Sequence, residues 1–457
     1  MHLPPIRPVP RTGNMPTSVA QELLLSFIAK AADAASLYNL FRVIDLAGSL
    51  NIDALQRALN EMLKRHEILR TTFGYADGRP VQVIAEAQSL ATPLINLEHL
   101  PADEQTARVN ELAIEQIRKP FDLSKDLLLR ATILRLEEKK HVLVLTTHHI
   151  AADGWSIRIL LNELFTLYQA FANGEPSPLP DLPVQYADFA YWQRQWTEGE
   201  SLEKQLAFWR GYLHDSPSVD LPVGRPRPAI PSFEGAHRSL SLSIALTEAL
   251  KTFSRRQGVT LYMTLLAAFK ALLFLYTGQD DLVVSTPIAN RVRKETESLI
   301  GFFINNLLLR TSLSSDPTLR ELLNRVRRAA LDAYDNQEMP LGSIMNAMQM
   351  DSPQLMCALV PRFKLESMEF ASLSLSLRLL DPAKTMATGV SRRDLTLYMV
   401  DFPDGLKGTI EYRKDIFDEA DIENLIVNFQ RLLESIVADP DRRLSTLALN
   451  LKGVVCT

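Results

Sequence analysis

The stretch Thr146-Thr147-His148-His149-Ile150-Ala151-Ala152-Asp153-Gly154-Trp155-Ser156 collects the residue types that acid–base and oxyanion chemistry require. A histidine of ordinary pKa near ~6.5 is available as a neutral base around pH 7 and can take a proton from an attacking amine or hydroxyl. Gly154 has no side chain, so a substrate can come close to the backbone, and neighbouring amide N–H groups could donate to a developing oxyanion. His149 and Asp153 are four apart but lie in a turn, where helical stacking does not apply. Adjacent strand residues point to opposite faces, so His148 and His149 do not converge on one ion, and no metal site is read here. The chain has no GxSxG elbow, P-loop or dinucleotide fingerprint, no cysteine beside the cluster and no serine marked as an activated nucleophile. Direct transfer between two bound substrates therefore fits better than a covalent enzyme intermediate.

Such a cluster needs rigid support, and the flanking sequence supplies it. Upstream, Val142, Leu143, Val144 and Leu145 form a short apolar, partly β-branched run suited to a buried strand. Downstream, Ile157, Leu160, Leu161, Leu164 and Leu167 recur at spacings of three and four, which predicts a helix ending at Asn173-Gly174. A preceding strand, 127–136, and a charged turn at 137–140 complete a hairpin that delivers the two histidines. Elsewhere, Asn51 can cap a helix carrying Leu55, Ala58, Leu59, Met62 and Leu63 on one face. Thr260 can cap a strongly apolar helix that stops before Gly278, and a strand at 282–286 runs into Asn290-Arg291. A hairpin at 395–400 and 408–412 turns at Pro403-Asp404-Gly405, ahead of a final helix over about 420–437. Tyr186, Tyr191, Trp192, Trp196, Phe208, Trp209 and Tyr212 read as core or domain interface.

At 457 residues the chain exceeds one ordinary core, since domains run to ~100–200 residues, and two are expected. Pro176, Pro178, Pro180 and Pro183 mark the boundary. This gives an N-terminal lobe 1–175 and a C-terminal lobe 176–457, with the linker at about 173–185. A second Pro-rich loop occupies 221–232. A formal net charge of −5 offers no broad basic surface for nucleic acid or anionic membrane. No apolar stretch approaches the ~18–20 residues of a membrane span, and Met1-His2-Leu3-Pro4-Pro5 is no secretory signal. Two cysteines, Cys357 and Cys456, support neither a disulfide framework nor a cysteine-based zinc site, which points to a reducing, cytoplasmic setting.

His148-His149-xxx-Asp153-Gly154 resembles the HHxxxDG signature of condensation domains from nonribosomal peptide synthetases, in the chloramphenicol acetyltransferase-like superfamily. Further motifs follow in the family's order: Arg65-His66-Glu67-Ile68-Leu69-Arg70-Thr71-Thr72-Phe73, Tyr186-Ala187-Asp188-Phe189-Ala190-Tyr191-Trp192, Ile300-Gly301-Phe302-Phe303-Ile304-Asn305, and Glu411-Tyr412 ahead of Phe417-Asp418. The resemblance covers roughly 14–448. Ser18-Val19-Ala20-Gln21-Glu22-Leu23-Leu24 departs from the first motif at Leu23, where the family usually has arginine. Asn336-Gln337-Glu338-Met339-Pro340-Leu341 only approximates the sixth motif, and Asp351-Ser352-Pro353 keeps little of the seventh. Tyr38-Asn39-Leu40 and Asp153-Gly154-Trp155-Ser156 lean towards the subtype that joins an L-configured donor to an L-configured acceptor.

The resemblance implies an α/β (α+β) fold of two acetyltransferase-like lobes in a V with a central tunnel. Upstream donor and downstream acceptor peptidyl carrier proteins would present thioesters on 4'-phosphopantetheine arms at its two mouths, and the acceptor amine would attack the donor carbonyl. No cofactor is bound intrinsically. His149 matches the residue given the central role in this family, as general base or as the group that orients the amine. His148 is read as its support. Asp153 is expected in a buried ion pair, with Arg291 of the second lobe as its partner and Arg70 as the competitor. Trp155, Ser156 and Asn305 are expected along the tunnel. His2, His66, His99, His141, His214 and His237 are assigned surface or packing roles.

Three other readings stay open: an acyltransferase with a soluble acceptor, an epimerisation domain, and a catalytically silent platform recruiting carriers or tailoring enzymes. No adenylation or carrier segment is recognisable, so the chain is read as a monomeric free-standing protein or as one domain of a larger synthetase, beside an adenylation domain. Donor, acceptor and amide versus ester product are not legible.

Overall fold

The computed structural model describes residues 4–30, 36, 38–197, 200–217, 221, 234–362, 369–370, 373–378, 380 and 391–447. His2, Cys456 and all but the first residue of the 221–232 loop lie outside the described residues. In chain order, the first elements are β1 (Met15–Pro16), α1 (Val19–Lys30), β2 (Asn39–Gly48), α2 (Ile52–Arg65), β3 (Thr71–Ala76), β4 (Arg79–Ile84) and β5 (Leu94–Asn96). They are followed by α3 (Ala102–Arg118), β6 (Leu129–Glu137), β7 (Lys140–His148), α4 (Gly154–Ala172), α5 (Tyr186–Trp196) and α6 (Glu200–Leu213). Then come β8 (Gly235–Ser241), α7 (Ile244–Arg256), α8 (Leu261–Thr277), β9 (Asp281–Ile288), β10 (Asn305–Ser312), α9 (Leu319–Asp335) and α10 (Leu341–Met348). The last are β11 (Leu355–Val360), β12 (Glu369–Phe370), β13 (Leu373–Leu377), β14 (Leu395–Phe402), β15 (Gly405–Arg413) and a C-terminal helix, Glu419–Ala438.

Two compact units emerge. The first draws its described residues from Met1–Leu202, Ala289–Ile304 and Phe363–Thr385, and the second from Glu203–Ile288, Asn305–Arg362 and Met386–Thr457. The chain thus stays in the first unit beyond the Pro-rich stretch at 176–183, and returns to it twice. A single linker at about 173–185 does not describe this division. The physical reason is packing: Val184, Tyr186, Phe189, Trp192 and Trp196 join the same apolar core as α2 and α4, and so do Leu299, Ile300 and Phe303.

The first unit holds a six-stranded sheet in the order β12-β13-β2-β7-β6-β5 and a three-stranded sheet in the order β1-β4-β3. β7 lies between β2 and β6, antiparallel to both. Its apolar run is continuous because both faces are covered. Leu143 and Leu145 pack into the core with α2 and α4, whereas Val142 and Val144 pack with Val109, Leu112 and Ala113 of α3. α2 is capped by Asn51, whose side chain accepts the Ala54 N–H at 3.0 Å. α4 ends at Asn173, followed by Gly174 at φ +78°.

The second unit holds a six-stranded sheet in the order β10-β9-β11-β14-β15-β8. β11 runs parallel to both β9 and β14, and the other pairs are antiparallel. α8 runs from its Thr260 cap to Gly278 in the left-handed conformation, φ +69°. Residues 263–273 of α8 are all buried, including Lys270. Among the described residues no single helix is long and apolar enough to cross a membrane.

Candidate active site

β7 ends at His148, four residues follow, three of them in a turn, and Asp153 starts α4 as its N-cap, accepting the Ser156 N–H at 2.8 Å. The two histidines part company at once. His148 is 1% exposed, and its Nδ1 accepts the Ile150 N–H at 3.1 Å. Its ring lies 6.0 Å from that of Tyr38 and 5.9 Å from that of Phe121. It therefore braces the turn from inside. His149 is half-buried; its backbone N–H donates to the Tyr38 carbonyl at 2.6 Å, and its Nδ1 lies 2.8 Å from the Ala152 carbonyl oxygen. A carbonyl can only accept, so Nδ1 carries a proton, and in a neutral imidazole of that tautomer the lone pair is on Nε2. This is the tautomer a proton acceptor needs.

Asp153 is 2% exposed, and its carboxylate is engaged on both oxygens. Its Oδ1 accepts from the Ser156 N–H and from Arg291 Nη2 at 3.1 Å, with Ser156 Oγ at 2.8 Å; its Oδ2 accepts the Phe303 N–H at 3.2 Å. With both oxygens occupied, the carboxylate is a structural anchor. Arg291 donates through Nη1 to the carbonyls of Thr296 and Leu299, and through Nη2 also to Ser156 Oγ at 2.8 Å. Its guanidinium sits 4.2 Å above the Phe303 ring. Burial pulls its pKa below the ordinary 12.5, and Asp153 opposes that pull. Although Arg291 lies far along the chain, its segment belongs to the first unit, as Asp153 does. The expectation that it belongs to a second lobe is corrected by that packing. Arg70 is engaged elsewhere, donating from Nε to the Leu63 carbonyl at 3.0 Å and from Nη1 to the Ala85 carbonyl.

The residues expected along a tunnel occupy different environments. Ser156 is fully buried; its hydroxyl accepts from Arg291 and from the Gly301 N–H at 3.0 Å. Asp153 Oδ1 and the Gly301 carbonyl, each at 2.8 Å, compete for its single proton. It is a node of the ion-pair network, with no surface for a substrate. Trp155 is 36% exposed, donates from Nε1 to the Glu297 carbonyl at 3.0 Å, and carries Arg158 over its ring at 4.3 Å. Asn305 is buried in the second unit. Its side chain binds the carbonyls of Gln337 and Met339 and the Leu341 N–H, holding the start of α10. Gly154 is exposed, and a Cβ placed on it would meet nothing within 4 Å.

Several participants escaped sequence reasoning. The Tyr186 hydroxyl donates to the Phe302 carbonyl at 2.7 Å and meets Ser18 Oγ at 2.8 Å, and burial drives its pKa well above the ordinary 10. A Cβ on Gly301 would lie 2.1 Å from Cδ2 of the Tyr186 ring. The Phe302 ring lies 5.0 Å from the His149 ring. The signal was present as three separate motifs around Ser18, Tyr186 and Gly301; what spacing could not tell is that they converge. His66 is 1% exposed, 2.6 Å from Glu163 Oε2, and its pKa is lowered by burial against the pull of that carboxylate. Among the described residues no group of His, Cys, Asp and Glu is arranged to hold a metal ion.

The family model for the condensation domain matches residues 11–452. The chain belongs to the condensation domain family. This condensation domain is 42% identical over 449 residues to a linear gramicidin synthase of Brevibacillus parabrevis, covering 98% of the chain and 9% of that protein. It is 36% identical over 444 residues to phosphinothricin tripeptide synthetase PhsC of Streptomyces viridochromogenes, covering 95% of the chain and 40% of that protein. It thus spans less than a tenth of the gramicidin synthase proteins that it matches. Among solved structures, the X-domain from teicoplanin biosynthesis superposes with a TM-score of 0.85 at 27% identity, covering 98% of this chain and 100% of that one. The first condensation domain of the calcium-dependent antibiotic synthetase shares the fold, with a TM-score of 0.76 at 20% identity over 96% of this chain and 100% of that one.

Proposed function

We propose that this condensation domain forms an amide bond in nonribosomal peptide synthesis. The acceptor amine of one carrier-bound substrate attacks the thioester carbonyl of another. The C–N bond forms, the C–S bond breaks, and the proton lost by the amine passes to the departing thiolate, with Nε2 of His149 as its relay or as the group that orients the amine. The observation that carries the reading is the Nδ1–H of His149 held by the Ala152 carbonyl, with Gly154, where an added Cβ would meet nothing within 4 Å, at the start of the helix that follows. Asp153, Arg291 and Ser156 act as the frame.

A histidine base supplies ~10²- to 10⁴-fold in rate, whereas holding two tethered substrates in attack geometry reaches effective molarities of ~10⁵ M and above. His149→Ala should therefore hurt most with weakly nucleophilic acceptors. Upstream donor and downstream acceptor peptidyl carriers deliver the substrates on phosphopantetheine, which is part of the substrate and no resident cofactor. The setting is cytoplasmic, the domain acts as a monomer, and in a larger synthetase an adenylation domain adjoins it. The decisive experiment mixes the protein with panels of loaded donor and acceptor carriers and reads the carrier-bound product by mass spectrometry. Loss of product with His149→Ala is expected, and an unchanged single-turnover rate sinks the assignment.

A second reading rests on one observation: an X-domain from teicoplanin biosynthesis, 28% identical to this chain, was solved as a complex with OxyB. A recruiting role without chemistry predicts that wild-type protein binds carriers or tailoring enzymes yet yields no product with any loaded pair, and that His149→Ala binds equally well.

A further inference from the structure

The His149 side chain is held by a hydrogen bond and meets an aromatic ring. The Ala152 carbonyl holds the Nδ1 proton. A hydrogen bond of that kind tolerates some rocking of the ring, because the torsion from a tetrahedral carbon to an aromatic ring has a broad minimum. The aromatic ring is that of Phe302, 5.0 Å away, with an interplanar angle of 71°. Phe302 is half-buried and does not titrate.

The backbone that carries this ring is tied on both sides. Gly301 exchanges hydrogen bonds with Ser156 Oγ through both its N–H and its carbonyl. The Phe302 carbonyl accepts from the Tyr186 hydroxyl, and the Phe303 N–H donates to Asp153 Oδ2. Each of those partners is itself buried: Tyr186 is 1% exposed, Ser156 fully buried and Asp153 2% exposed. Three consecutive residues are thus fixed, and the side chain at their centre meets the imidazole.

We infer that Phe302 is a positioning residue that sets the plane of the His149 ring. The inference rests on the reading of His149 as the group that meets the reacting amine. It gives the buried network a task in the reaction: the Asp153, Arg291, Ser156 and Tyr186 contacts hold Phe302, and Phe302 holds His149. An edge-to-face aromatic contact shifts populations by a factor of about 2 to 13. Displacing a reacting group by ~1 Å can cost up to ~10²-fold in rate.

Phe302→Ala should therefore lower kcat by roughly tenfold while KM for each loaded carrier stays within about twofold, and Phe302→Tyr, which keeps the ring, should restore most of the loss. A readout without turnover accompanies this: the ring-proton resonances of histidine-labelled protein, with the His149 signal identified by its absence in His149→Ala. The Phe302→Ala protein should move and broaden that signal, because a neighbouring ring no longer shields and confines it. An unmoved His149 signal, or wild-type kcat in Phe302→Ala, overturns the inference. Full turnover by His149→Ala would instead sink the catalytic reading, while the resonance still reports whether Phe302 orients the ring.

Discussion

Two glycines at the site are constrained by opposite things. A Cβ on Gly154 meets no protein atom within 4 Å, whereas one on Gly301 would strike the Tyr186 ring at 2.1 Å and the Phe303 ring at 2.6 Å. Gly154→Ala should then fold as well as wild type or slightly better, since alanine is favoured in helices by up to ~1 kcal/mol. Under the proposed function that space admits the acceptor, so the condensation rate should still fall. Gly301→Ala should lose stability and activity together, as aromatic rings in a packed core must shift to admit the methyl group. Thermal unfolding beside product formation separates the two, and a fully active Gly154→Ala protein would refute the role given to that space. The candidate histidines and Asp153 were legible because their types announce chemistry. Phe302 and the Ser156 hydroxyl were not, since a phenylalanine and a serine acquire meaning only from what tertiary packing sets beside them.

At the scale of the element, the start of α4 does two jobs with one carboxylate. Asp153 caps the helix through the Ser156 N–H and pairs with Arg291 inside the core. Losing a cap costs about 1 kcal/mol, and breaking a buried ion pair costs about 3 to 5 kcal/mol because a charge is left without its partner. Asp153→Asn keeps an oxygen for the cap but not the charge. It should be destabilised in urea unfolding by roughly one cap less than Asp153→Ala, both falling well below wild type; a wild-type Asp153→Asn midpoint would mean the pair contributes nothing. Activity alone cannot make this distinction. The helix itself was legible from Ile157 through Leu167, as was its end at Asn173-Gly174, because periodicity and caps are local. β2 was missed as the partner of β7 because its pairing is with a strand about a hundred residues away. The parallel pairing of β11 with β9 and β14 is non-local in the same way.

At the scale of the molecule, two compact units emerge where proline content suggested one simple break. Proline marks where regular structure stops, but a unit's limits follow burial, and Trp192, Trp196 and Phe303 are buried with the first core. The second unit's core carries a different kind of polar group, and it makes the whole molecule's stability depend on pH. Lys270 is fully buried, with Nζ donating to the carbonyls of Leu282 at 2.9 Å and Leu309 at 2.6 Å and to Thr311 Oγ1 at 3.0 Å. Burial pulls its pKa from 10.5 down to about 7, with Asp281 opposing. Between those values the unfolded chain binds a proton that the folded one does not, so stability rises with pH, by at most about 1.4 kcal/mol per pH unit. Above 9 the trend meets opposition. Burial raises Cys357 from 9.0 to about 12 and Tyr212 and Tyr398 from 10.0 to about 12, and each then keeps a proton that the unfolded chain has lost. His66, lowered from 6.5, acts below the window. The span from about pH 7 to 9 therefore belongs to Lys270. Urea unfolding across it should show stability climbing in the wild-type protein and level in Lys270→Met, whose side chain has similar length and no charge. Equal slopes in the two proteins would show that the buried ammonium does not govern the rise.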